Sequence, residues 1–169
     1  MSKLKICKLL YFADKHHLIR YGRPILGDVY YHLGFGPIPS VSLDIMDEVI
    51  EGNSNGADVS NKMKFEEYLT VHKPFFSKYP VFGVKKPHAL DCLSDSEREA
   101  LSRTMETYGK LTPGALIDLT HGEIAWKNTP DNSPIDYRLF FEGSPDADPR
   151  AKEYMEAVQE NIEVVMALK

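Results

Sequence analysis

Residues 8–40 read KLLYFADKHHLIRYGRPILGDVYYHLGFGPIPS, and this stretch decides the fold. Wound as a helix at about 100° per residue, Lys3 to Tyr21 gathers Leu4, Ile6, Cys7, Leu9, Leu10, Tyr11, Ala13, Leu18 and Tyr21 on one broad arc. A helix apolar over more than half its circumference is a central core element. Gly22 is placed to stop it in the left-handed conformation, and Pro24 prevents its return.

Lys5, Lys8, Lys15, His16 and Arg20 line the rest of the circumference, with Phe12 and Ile19 among them at i and i+7. That apolar pair either meets a second layer of the same protein or offers a partner an anchor, ringed by Lys15 and Arg20. Asp14 is the anomaly. It falls between Tyr21 and Cys7 on the apolar arc, where a bare carboxylate would cost several kcal/mol. It must be neutralised or hydrogen-bonded, and the expected partners are His17, Arg23 and His121. This reads as a polar clasp between docked helices; the alternative is a general acid or base in a pocket.

After the helix, Val29 to Leu33 is expected to form a short strand, and Gly34, Gly36, Pro37 and Pro39 a stiff loop. Ser40 is expected to cap a helix through about Ile50. Residues 51–62 read as a mobile, polar loop, and Phe65–Val71 and Val81–Val84 as strands. Tyr68, Phe75, Phe76, Tyr79 and Phe82 crowd this middle region, either as core or as partner contacts. Ser94 to Glu97 form a capping box for a helix to Gly109, with Leu101, Met105 and Tyr108 as its buried stripe. Thr112 and Pro113 open another helix, and a further turn covers Glu123 to Trp126. Residues 128–145 are irregular. A last helix from Asp148-Pro149 turns Ala151, Tyr154, Met155, Val158, Ile162 and Val165 to one side. The fold class is therefore α+β, predominantly α-helical, with a small antiparallel sheet, in one domain spanning 1–169.

Composition narrows the function. The 169 residues carry 20 basic and 25 acidic side chains, a formal net charge of −5. A basic surface suited to nucleic acid or anionic membrane is missing, so neither partner is expected. Cys7 and Cys92 make no CxxC pair and no disulfide framework. No signal peptide and no run of 18 apolar residues occur, so a cytoplasmic site is expected.

Familiar catalytic patterns are missing too. Gly34-Phe35-Gly36 starts like a dinucleotide loop, but prolines follow where amides are needed. His16 and His17 diverge by about 100° on a helix and cannot chelate one ion together. His121-Gly122-Glu123 imitates the HxE of zinc deaminases without the PCxxC that completes such a site. No metal and no cofactor are expected.

Three blocks, Lys8–Asp28, Gly34–Ser40 and Leu93–Trp126, together resemble the Panacea, or SocA-like, antitoxin domain, also known as a phage-associated protein of GepA type. The third block has the capped helix, the Tyr108-Gly109 break and the Thr120-His121…Trp126 ending. The resemblance implies a bacterial or phage antitoxin that neutralises a co-encoded toxin by direct protein contact, with adaptor roles in proteolysis also known in the family. It supplies no catalytic residues. Asp14, Gly22, Pro24, Gly36, Pro37, His121 and Trp126 match as fold-determining positions. Residues 51–90 match poorly and are expected to set partner choice. Phe12, Lys15, Ile19 and Arg20 are the first candidate contacts, with Tyr68, Phe75 and Phe76 second, and a homodimer is a further expectation. Two other readings stay open: a hydrolase using Asp14 and His121, and a DNA-binding autorepressor.

Overall fold

The computed structural model describes residues 1–51, 68–75, 79–86 and 91–167. It is a predominantly helical α+β structure whose first helix, α1 (Lys3–Tyr21), is the axle. The hydroxyl of Ser2 accepts from the Lys5 amide to open α1, and Gly22, at φ +75°, closes it by donating to the Leu18 carbonyl. A Cβ on Gly22 would lie 2.6 Å from the Ala151 carbonyl oxygen, so the left-handed turn also admits the last helix.

Two antiparallel hairpins flank α1. In the first, β1 (Tyr30–Leu33) pairs with β2 (Gly36–Pro39), in the register Tyr30↔Pro39 and Leu33↔Gly36. The stretch expected as a stiff loop is thus half strand. Its prolines are tolerated because of which way their missing amides would face. Tyr30 and His32 spend their backbone groups outward, on residues 132–135: the Ile135 amide donates to the Tyr30 carbonyl at 2.7 Å, and the His32 amide to Ser133 at 2.9 Å. By antiparallel alternation, the residues opposite them, Pro39 and Pro37, point their amide positions away from β1, where no ladder bond is lost.

The outward carbonyl of Pro37 still needs a donor, and Lys8 of α1 supplies it. Its Nζ lies 2.7 Å from that oxygen, and the side chain is fully buried. Gly36 permits the approach: a Cβ there would sit 2.5 Å from Thr120 Oγ1 and 2.9 Å from Lys8 Nζ. Burial pushes the Lys8 ammonium down to a pKa of about 7, with the neighbouring Cys7 opposing.

Helix α2 (Ser40–Glu51) follows β2 directly. Its cap is not Ser40, which lies inside the helix, but Asp28 from before β1. One carboxylate oxygen of Asp28 accepts from the Val41 amide at 3.0 Å, and the other from the amide and hydroxyl of Ser42, each at 2.7 Å. The second hairpin joins β3 (Leu69–His72) to β4 (Val81–Val84), and Met1 and Ser2 line the outer edge of β4. Of the strand expected over Phe65–Val71, residues 65–67 lie outside the described residues, as do Phe76 and residues 52–62 of the loop expected at 51–62, whose first residue instead ends α2.

Helices α3 (Asp95–Tyr108), α4 (Pro113–Gly122) and α5 (Ile124–Lys127), a 3-10 turn (Tyr137–Phe140) and α6 (Pro149–Ala167) complete the chain. The capping box of α3 forms as expected, with Ser94 and Glu97 bonded reciprocally. Its buried stripe differs. Glu97, Ala100 and Thr104 are buried, whereas Met105 is exposed, because the helix is rotated to let Glu97 and Thr104 reach polar groups on and after α1. In α6, Ala151 and Met155 are buried, but Tyr154 and Val158 face outward.

Phe12 and Ile19 are both buried, at 2% and 3% exposure. They join Tyr11, Leu18, Tyr30, Leu116, Ile135 and Phe140 in the main core, and Phe12 stacks on Tyr108 at 4.1 Å. This corrects their candidacy as partner contacts: they meet a second layer of the same protein. Cys7, Ile38, Met46 and Phe82 form a second core beneath α2 and the β3–β4 hairpin.

Candidate functional site

Asp14 is fully buried, as its place on the apolar arc requires, but its partners are not those expected. One oxygen accepts from the amides of Ile25 and Leu26, both at 2.9 Å, and the other from the Tyr30 hydroxyl at 3.0 Å. The Gly22–Pro24 turn swings two unpaired amides back over the carboxylate, and those amides win over more distant side chains. Burial raises the Asp14 pKa; the Leu26 amide, Tyr30 and the Ile25 amide oppose it. Both oxygens are spent and neither meets solvent, which leaves no proton-transfer geometry toward a substrate.

The other clasp residues divide into two places. His17 is fully buried, with Nδ1 2.7 Å from the Arg23 carbonyl and Nε2 3.0 Å from Ser96 Oγ. Arg23 pairs with Glu97 at 2.7 Å, and that carboxylate also takes the Ser94 amide and hydroxyl. Arg23 first, then Ser94, holds the Glu97 pKa down to about 2. His17, Arg23 and Glu97 thus lock the turn after α1 to the start of α3. They form a clasp beside Asp14, not with it.

His121 stands elsewhere. Its ring stacks on Trp126 at 4.1 Å, and His32 lies against the same indole, also at 4.1 Å. Trp126 Nε1 reaches the Leu33 carbonyl at 3.4 Å, so the sandwich ties α4 and α5 to the first hairpin. The buried Nε2 of His121 has no hydrogen-bond partner among the described residues. The expected pairing of Asp14 with His121 does not form, and the hydrolase reading loses its acid–base couple. Among the described residues, no group of three or more His, Cys, Asp or Glu is placed to hold a metal ion.

What remains accessible is chiefly exposed surface. Lys15 is committed to Glu123 in a largely buried ion pair. Beside it the Tyr11 hydroxyl is buried, and burial, then the Glu123 charge, pushes its pKa well above the phenolic range. Arg20 is exposed at the last turn of α1. Phe75 is 94% exposed and Tyr79 66%, both between β3 and β4, and Val84 is exposed at the end of β4. Tyr68 is half-buried, with the Lys86 ammonium 4.8 Å from its ring centre. Phe75 and Tyr79 put two exposed aromatics on the second hairpin, while Phe35 between β1 and β2 and Tyr154 on α6 are exposed elsewhere; large apolar side chains grouped in water mark contact surfaces.

The sequence matches the model of the antitoxin SocA-like Panacea domain over residues 6–127. The chain belongs to the Panacea family. The match runs from α1 through α5 and so takes in the Asp14 clasp, both hairpins and the His32–Trp126–His121 sandwich. No curated protein and no solved structure matches the chain. No helix of this Panacea domain, among the described residues, is long and apolar enough to cross a membrane.

Proposed function

We propose that this Panacea domain is a cytoplasmic antitoxin that neutralises a co-encoded toxin by direct protein–protein contact, covering the toxin's active surface or holding its inactive form. The observation that carries this reading is the family match over residues 6–127. The fate of Asp14 supports it, since the acidic group best placed for chemistry is enclosed by three structural hydrogen bonds. The contact surface centres on the β3–β4 hairpin, with Phe75 and Tyr79 as apolar anchors; Arg20, at the opposite end of α1 from the Met1–Ser2 edge of that hairpin, is a separate candidate contact. Aromatic anchors surrounded by polar side chains are the usual energetic centre of such interfaces.

Growth under co-expression with the neighbouring gene product tests the proposal. The chain is expected to restore growth that the neighbour alone arrests. Arrest that persists at equal expression levels would refute it.

A further inference from the structure

The last turn of α1 and the first half of α3 enclose an open cleft with about 240 Å³ of free space, its mouth included. Its walls carry His16, Arg20, Tyr21, Ser96, Glu99 and Arg103. The room it offers to water-sized groups is about 20 Å³, so it takes the end of one polar side chain and not a cofactor. We propose that the cleft receives the carboxylate of an aspartate or glutamate side chain on the protein that this chain binds. The inference rests on the partner-binding reading above and names the chemistry of one part of that contact.

Two guanidinium groups carry it. Arg20 is exposed and makes no ion pair among the described residues. Among the described residues Arg103 reaches only Asp146, at 3.8 Å, and both side chains are more than half exposed. Such a loose surface pair is worth little and yields readily to a competing carboxylate. A planar guanidinium fork matches a carboxylate with two parallel hydrogen bonds, a geometry that ammonium groups lack. In a chain of net charge −5, the cleft wall sets Arg20 and Arg103 against the one carboxylate of Glu99, with Asp146 only loosely held by Arg103.

The cleft floor reports the same field. His16 shares a hydrogen bond with Thr104 at 3.2 Å, and its ring lies over Tyr108. Burial lowers its pKa most; Arg103 and then Lys15 lower it further, and only Asp146 opposes them. Tyr21, 39% exposed with its ring against His17, offers an apolar wall for the methylene stem of an incoming glutamate. Glu99 on the wall and Asp146 beside Arg103 repel a second negative charge, so a carboxylate monoanion fits better than a phosphate dianion.

Titration of the full chain, followed by amide and arginine side-chain NMR signals, tests this with three probes at low ionic strength. They are an end-blocked glutamate hexapeptide, its glutamine counterpart and inorganic phosphate. The glutamate peptide should shift Arg20, Ser96 and Arg103 saturably, and the glutamine peptide should not. Glu99→Gln should tighten binding several-fold, and Arg20→Gln with Arg103→Gln should weaken it at least tenfold. Equal response to both peptides, tighter binding of phosphate, or indifference to all three substitutions would overturn the assignment. Co-expression separates this inference from the function on which it rests. If the unaltered chain rescues growth and the folded Arg20→Glu/Arg103→Glu variant rescues equally, the cleft is overturned and the antitoxin reading stands. If the unaltered chain fails to rescue, the antitoxin reading falls and the carboxylate cleft, as a partner contact, falls with it.

Discussion

The Tyr30 hydroxyl donates to the Asp14 carboxylate at 3.0 Å inside the core, joining the middle of α1 to the first residue of β1. With the Ile25 and Leu26 amides on the other oxygen, one side chain fixes the turn, the strand and the helix together. Removing it leaves three donors without an acceptor. Asp14→Ala should therefore destabilise the fold by about 3 kcal/mol or more, and Asp14→Asn, which keeps one carbonyl oxygen, by roughly 1 kcal/mol. Urea denaturation measures both. An unchanged midpoint for Asp14→Ala would show that this clasp does not hold the fold.

Lys8 makes stability depend on pH in a defined direction. Its folded pKa of about 7 lies below the usual 10.5, so above pH 7 the unfolded chain binds a proton that the folded chain has released. Stability then rises with pH, by about 1.5 kcal/mol between pH 7 and 8.5. Cys7, whose thiol burial lifts from 9.0 to about 11, works in the opposite sense only from pH 9 upward. In Lys8→Met the rise should vanish, even though the unpaired Pro37 carbonyl lowers stability throughout. Denaturant midpoints at the two pH values decide this; a slope that survives in the variant would place the proton elsewhere.

Glu97 governs the acid side. Arg23 and Ser94 hold its pKa near 2 against the usual 4.5. Its stabilising contribution is complete above pH 4.5 and is lost as pH falls through 2. Glu97→Gln should melt lower than the natural chain at pH 7 and show a shallower decline between pH 4.5 and 2. Parallel melting curves would count against the Arg23–Glu97–Ser94 arrangement as an acid-sensitive tie.

The exposed aromatics should separate binding from folding. Phe75 and Tyr79 stand largely in solvent, so Phe75→Ala and Tyr79→Ala should leave the melting temperature within about 1–2 °C of the natural chain. In co-expression with the toxin they should lose protection, each weakening the complex about tenfold or more, as truncated aromatic anchors do. Full protection by the double variant would move the contact surface off the second hairpin.

Much of this fold was legible in the residues that cap and pattern it. Gly22, the Ser94–Glu97 box and Thr112-Pro113 mark helix ends by local chemistry, and local chemistry prevailed there. Asp14 was legible as a problem, because a carboxylate on an apolar arc must find donors. Its actual donors were not, since two amides freed by a turn look like every other amide in a sequence. Asp28 capping α2 from twelve or more residues away was hidden for the same reason.

Lys8 shows where the reading of α1 fell short. Lys8, Phe12, Lys15 and Ile19 lie within about 60° of one another on a helix, and all four are buried or nearly so. Two large apolar side chains on the supposed polar face signalled that this strip of it was packed, leaving Arg20 exposed near the helix end. The lysines between them had to find specific acceptors, Pro37 and Glu123. The first of these depends on β2, and a strand holding two prolines is hard to recognise until the alternation of its neighbour's hydrogen bonds is known.

The central claim is that this chain works by covering another protein, and direct reconstitution tests it most squarely. The purified chain is mixed with the separately purified product of the neighbouring gene, and the mixture is followed by calorimetry and light scattering. A stoichiometric complex that abolishes the toxin's activity, and that is weakened by Phe75→Ala, is the expected result. A toxin that stays active and unbound in the presence of excess folded chain would contradict it.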